Sequence, residues 1–219
     1  MLGVMSDEDE TGPASDAGPF GSGWRRWAAR RAKAALARDL RIGIRGKVSG
    51  TARPIGPLLV APFTKRPCVF WCAEVASQVE VPVRGLARLR ARTKLVWQVD
   101  LRDASLDRYW VIDDVGGHVV VDPKNAVVDV RRTRVELPTR VDVELGAFLL
   151  RHGFTPAKLL AKDSPYSLFE AIVEPDAPAA AWGIVTEVAD HMSLGYRDAS
   201  IVVRRIASTR IDRAVVLGG

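Results

Sequence analysis

Two cysteines, three histidines and a few adjacent carboxylates are the side chains of this 219-residue chain with the types needed for redox, metal or acid–base chemistry. Both cysteines fall in "RPCVFWCAEV", as Cys68 and Cys72. On a strand rising about 3.3 Å per residue, positions four apart share a face at roughly 13 Å, well beyond the roughly 7 Å that a disulfide spans. The stretch is aromatic and β-branched, without the glycine turn or second ligand pair of a zinc knuckle, and His118, His152 and His191 stand alone in the sequence. The two cysteines therefore read as packed strand residues, and the exposure of Cys72 decides whether either thiol reacts. Asp113/Asp114 and Glu174/Asp176 have the composition of an acid–base pair, but they sit in turn-like contexts where Asp serves the backbone. The glycines of "DDVGGHVVVD" belong to a hairpin and not to a strand-to-helix phosphate loop, and neither G-x-S-x-G nor H-E-x-x-H occurs. No catalytic residue, cofactor or metal site is assigned, and the expectation is that the chain is not an enzyme.

The elements that would position these residues are mostly strands. Short β-branched runs separated by Gly, Pro and Asp predict strands over 44–52, 68–79, 94–103, 108–113, 117–122, 126–131, 133–137, 167–174, 180–189, 199–206 and 209–217. Asp-Val-Gly-Gly after Ile112 predicts a tight hairpin, and neighbouring strands are expected to pair antiparallel. A helical interlude covers "ELGAFLLRHGF" from Glu144 and "TPAKLLAK", where Thr155 is read as the cap and Pro156 as the first helical residue. The fold class is thus mainly β (α+β): an antiparallel β-barrel or sandwich-like domain with a short helical insertion and an N-terminal basic helix.

Charge divides the chain. Residues 1–23 carry Asp7, Glu8, Asp9, Glu10 and Asp16 without a basic residue and read as a disordered acidic tail. From Arg25 to Lys47 nine basic residues face Asp39 alone. Residues 24–43 read as a basic amphipathic helix, from Trp24 to about Leu40, and residues 44–219 as the β-domain. Trp24, Arg25, Arg26, Trp27, Arg30, Arg31 and Lys33 form a candidate surface for an anionic membrane, set against a solvated helix packed on the domain through its tryptophans. Arg84, Arg88, Arg90, Arg92 and Lys94 form a basic stripe, read either as a solvated hairpin or as a phosphate-tracking surface with Trp97 or Trp110 as stacking platforms. "PIGPLLVAPFT", Pro54 to Thr64, falls far short of the roughly 18 residues a bilayer span requires. With no basic-then-apolar leader and two cysteines, the expected location is cytoplasmic, without signal peptide or transmembrane helix.

Several segments in order, "IRGKVSGTARPIGPLLVAPFTKRPCVFWCAEV", "LVWQVDLRD", "YWVIDDVGGHVVVDPKNAVVDV", "ELGAFLLRHGF" and "LFEAIVEPDAPAAAWGIVTE", resemble the GIDE-type domain, also called BAM for "beside a membrane". The resemblance spans residues 44–189. Cys68 matches the family's "P-C-V" position, and Cys72 has no match. In eukaryotes the domain belongs to a mitochondrial ubiquitin ligase. This chain lacks the cysteines and histidines of a RING finger, so the resemblance is to the RING-less, transmembrane-less prokaryotic type and implies no ligase activity. The family's "P-G-d" appears as Pro175-Asp176 without the glycine. What the resemblance implies is a noncatalytic domain that binds a protein or peptide partner peripheral to the cytoplasmic membrane surface. The alternative is a nucleic-acid-binding β-barrel.

Overall fold

A computed structural model describes residues 22–82, 93–124, 127–161, 163–187, 204–207 and 215–218. The β-branched runs form strands β1 (Arg45–Pro54), β2 (Leu59–Val60), β3 (Pro67–Cys68), β4 (Phe70–Pro82), β5 (Thr93–Ala104), β6 (Tyr109–Ile112), β7 (His118–Val121), β8 (Val127–Asp129), β9 (Thr133–Val135), β10 (Tyr166–Val173), β11 (Pro178–Glu187), β12 (Arg204–Ala207) and β13 (Val215–Gly218). The helices are α1 (Ser22–Arg31), α2 (Val143–Arg151) and α3 (Ala157–Leu160), with one 3-10 turn at Ala37–Asp39.

Five strands close into a barrel in the order β1, β6, β7, β12, β11 and back to β1. Closure removes the unpaired edges that an open sheet would present. β1 does this by pairing twice: 45–51 lie against β11, and 51–54 lie against β6. Gly50 sits at that changeover, where an added Cβ would meet the Ile112 carbonyl oxygen at 1.9 Å, so only glycine lets the two strands approach this closely. The expected hairpin forms, with Ile112 opposite His118 and Gly116 at φ +83° in its turn. Two pairings depart from the antiparallel expectation: β7 runs parallel to β12, and β8 runs parallel to β13, which extends the sheet from β11. Both join strands far apart in sequence, where no hairpin dictates direction.

The chain between β1 and β6, and that between β7 and β11, together build a second layer, a sheet in the order β5, β4, β10, β9. Phe70, Cys72, Ala171 and Val173 of this sheet join Val48, Tyr109, Val111, Val119, Val185 and Ile206 in the barrel core. Its other face carries Ala73, Val75, Leu101 and Leu168, covered by Leu145, Phe148 and Leu149 of α2 and Leu159 of α3. Asp142 caps α2 by accepting from the Leu145 N–H at 2.7 Å. Thr155 makes no such side-chain cap; its carbonyl takes the Lys158 N–H, and Pro156 precedes α3 as its cap residue.

The N-terminal helix is shorter than its composition suggests, ending at Arg31 and not near Leu40. Alanine-rich sequence favours helix by only tenths of a kcal/mol per residue, and tertiary contacts override that preference. The Ala35 N–H bonds the Lys47 carbonyl instead, and Ala37 and Leu40, both about 4% exposed, enter the barrel core. Residues 32–43 are therefore not a continuation of the helix but a strap whose Ala37 and Leu40 enter the barrel core.

Two core hydroxyls, those of Tyr109 and Ser167, are left unsatisfied among the described residues. The Tyr109 hydroxyl is fully buried and has no hydrogen-bond partner among the described residues, and burial pushes its ionisation far up. Tyr109→Phe should therefore gain about 1 kcal/mol, read as a raised Tm.

Candidate functional site

Of the residues singled out for chemistry, the cysteines, the acidic pairs, His118 and His152 are among the described residues, and His191 lies outside them. Val69 interrupts the strand expected over 68–79, so Cys68 lies in β3 with Sγ 3.8 Å from the Leu59 carbonyl, while Cys72 enters the barrel core. Both are free and buried. Burial, reinforced by Glu170 and Glu174, pushes the Cys68 thiol up to about 12; burial, with Glu74 adding more, does the same to Cys72. Since the thiolate is the nucleophile, neither should label with an aromatic disulfide reagent at pH 8 in the native protein, and both should label in denaturant. Rapid native labelling of Cys72 would return it to the list of reactive groups.

The acidic residues hold backbone N–H groups or arginines. Burial alone would raise the Asp113 carboxyl. The N–H groups of Ala37 (2.7 Å), Gly117 (2.7 Å) and Val115 (3.1 Å), together with the Arg38 charge, outweigh it and hold the group below the usual carboxylate range. Asp113 thus ties the strap's 3-10 turn to the β6–β7 hairpin. Asp176 sits at φ +65° after Pro175, the signature of a type II turn whose usual occupant there is glycine, and pairs with Arg53 at 2.6 Å. Glu174 pairs with Arg66 on the surface. Two acids that the sequence reading passed over are more deeply placed. Glu170 accepts from the N–H groups of Phe63 (2.8 Å) and Thr64 (3.0 Å), and Glu74 holds Arg102 (2.7 Å) and Arg132 (2.9 Å). Cys72, Asp113 and His118 do not converge: His118 stacks edge-on against Trp110 on the other side of β6 and β7.

The basic segment makes the most distinctive surface. α1 and the residue after it pack through Ala28, Ala29 and Ala32 onto Trp182 of β11, so among the described side chains alanines dock the helix and Trp27 does not. That leaves Trp27 53% exposed, with the Arg31 guanidinium 4.7 Å over its ring. Trp24 and Arg25 begin the helix, but their side chains lie outside the described residues. Arg26 is half-buried; Arg30, Arg31 and Lys33 are exposed. Arg45 lies 5.4 Å over Trp182, and the Lys47 ammonium reaches the Arg30 carbonyl at 3.4 Å, so both charges flank the docked helix. Beyond α1 the strap adds Arg38 and Arg41, both exposed, and the exposed Ile42 and Ile44. Lys33, Arg38 and Arg41 form no ion pair with any described residue. The nine-to-one charge ratio of residues 25–47 pointed to this surface, whereas the contribution of Ile42 and Ile44 needed the strap's course.

Of the basic stripe, Arg84, Arg88, Arg90 and Arg92 lie outside the described residues; Lys94 is exposed on β5. The strands that lead to it form a two-stranded ribbon, since β4 and β5 stay paired to Pro82 and Thr93 while β10 leaves β4 at Ser77. Trp110 is only 8% exposed, and Trp97 abuts Phe169 edge-on with Arg134 over its ring, so neither presents an open face for stacking.

Among the described residues no helix is long and apolar enough to cross a membrane, and no cluster of three metal-binding side chains occurs. Comparison with protein-family models, characterised proteins and solved structures gives no match.

Proposed function

We propose that the chain is a noncatalytic β-domain of the GIDE/BAM type that lies on an anionic cytoplasmic membrane surface through its N-terminal helix and strap and there holds a protein or peptide partner. The observation that carries the reading is Trp27, which a packed helix leaves half in solvent beneath the Arg31 guanidinium, on a segment with nine basic residues against one acidic. Exposed tryptophan and arginine are two groups that the interfacial region of a bilayer accommodates, with about 1 kcal/mol per basic residue near an anionic surface. An apolar stripe on the outer side of α2, Val143 (88% exposed), Ala147 and Leu150 (62% exposed), supports the partner-binding half of the reading.

Vesicle flotation tests it. The full chain should float with phosphatidylserine-containing vesicles at low salt and not with phosphatidylcholine alone. Arg31→Gln with Lys33→Gln should weaken binding by about 30-fold, from about 2 kcal/mol of lost attraction. A wild-type chain that stays at the bottom with both vesicles overturns the membrane half.

A nucleic-acid reading is favoured by two observations. Counted within the barrel, the strand order is first, second, third, fifth, fourth, with the third and fifth parallel, the connectivity of OB-type Greek-key barrels, and the β4–β5 ribbon leads to an arginine-rich segment. It ranks second because the β6–β7 face, where such barrels hold ligands, is filled by Trp110, Val120, Ile55 and Ile112. Salt-sensitive binding of a single-stranded oligonucleotide tighter than vesicle binding would reverse the order.

A further inference from the structure

The strap between α1 and β1 carries an open hollow of about 530 Å³ lined by Arg38, Asp39, Leu40, Arg41 and Ile42. Its chemistry is uneven. Leu40 forms the floor and is itself anchored in the barrel core, so the hollow has a fixed base. Arg38 and Arg41 stand three residues apart on the turn, are exposed, and make no ion pair among the described residues. Asp39 adds one carboxylate to the lining, against two guanidiniums, and the Arg38 charge also acts on Asp113 beneath the turn. Ile42 (52% exposed) belongs to the lining and Ile44 (54% exposed) follows it two residues on, an apolar pair that water does not favour.

Two exposed guanidiniums match phosphate geometry, because each can offer parallel N–H donors to two oxygens. Exposed isoleucines beside them match the boundary between headgroup and acyl chain. We infer that this hollow is a headgroup site: Arg38 and Arg41 hold the phosphate of an anionic phospholipid while Ile42 and Ile44 enter the layer beneath it. The inference rests on the membrane reading above and adds to it a phosphate-selective site separate from the diffuse charge of α1. The turn is fixed from both sides, by the Asp113 carboxylate on the Ala37 N–H and by the bond from the Gly43 N–H to the Val185 carbonyl at 2.8 Å. The two guanidiniums are thus presented from a rigid backbone, which lowers the ordering cost of binding.

The test uses the full chain, the Arg38→Gln/Arg41→Gln variant, and two vesicle types of matched surface potential. One carries phosphatidic acid in phosphatidylcholine, the other oleate. The wild type should bind the phosphatidic acid vesicles at least about 10-fold tighter than the oleate vesicles, a difference of about 1.4 kcal/mol. The double variant should bind the two vesicles equally, and Arg41→Gln alone, which leaves the Arg38 charge near Asp113 in place, should lose part of the preference at an unchanged Tm. Inorganic phosphate at constant ionic strength should leave the wild type bound. Wild type that binds both vesicles without preference, or a variant that keeps the preference, overturns the headgroup site while the membrane reading stands. Displacement by inorganic phosphate overturns the lipid as the ligand source. Wild type that binds neither vesicle overturns both.

Discussion

Asp113→Ala should lower the unfolding free energy by about 3–5 kcal/mol in a urea titration, since it removes a buried acceptor of three backbone N–H groups and leaves those of Ala37 and Gly117 without a partner. Asp113→Asn separates charge from shape. Its amide oxygen can keep Gly117 and Val115, but its NH₂ then faces the Ala37 N–H, donor against donor, at a cost of about 1–3 kcal/mol. The acid dependence has a definite sign. The Asp113 carboxyl is held below its ordinary range in the folded chain, so the unfolded chain takes up the proton more readily. Its stabilisation is complete above the unfolded value of about 4 and is lost as pH falls through the lower folded value. Stability of the wild type should therefore decline below about pH 4 more steeply than that of Asp113→Asn. Equal slopes would mean that the carboxylate is not what fixes the strap.

Gly50→Ala should be as damaging by a different route. The new methyl would lie 1.9 Å from the Ile112 carbonyl oxygen and 2.6 Å from its carbon, both backbone atoms of β6 that no rotamer change can move. Relief requires β1 and β6 to separate where the barrel closes, and overpacking of this kind costs about 3 kcal/mol or more. Gly56→Ala is the control, because nothing lies within 4 Å of a Cβ built there. A Gly50→Ala protein with the Tm of the control would refute the close approach of the two strands.

The β character of the chain was readable because β-branched runs between Gly, Pro and Asp are a local signal, and the Asp113–Gly117 hairpin was readable because a tight turn needs glycines at particular places. The barrel's closure was not, since the β7–β12 and β8–β13 pairings join strands that no local feature couples. α1 shows the same limit from the other side. The stretch from Lys33 to Leu40 has helical composition throughout, yet Ala37 and Leu40 are worth more in the barrel core than in a helix exposed to water. One of the two readings of this helix had it packed through its tryptophans; Ala28, Ala29 and Ala32 meet Trp182 instead, and Trp27 is turned outward. Charge counting found the basic segment; that Asp113 anchors it depends on a contact across 76 positions of sequence. The cysteines were read correctly as packing residues, although the geometric argument assumed one unbroken strand, which Val69 divides.

The strap's double duty sets the mechanics of any attachment it makes. Because Ala37 and Leu40 enter the barrel core while Arg38, Arg41 and Ile42 face outward from the same turn, the segment cannot peel away to reach a surface without opening the core. A tether would let the domain swivel. A segment rooted in the core passes the orientation of its outer face directly to the strands, so any surface that holds this turn also sets the tilt of the barrel above it and decides which of its remaining faces stay open to a third molecule.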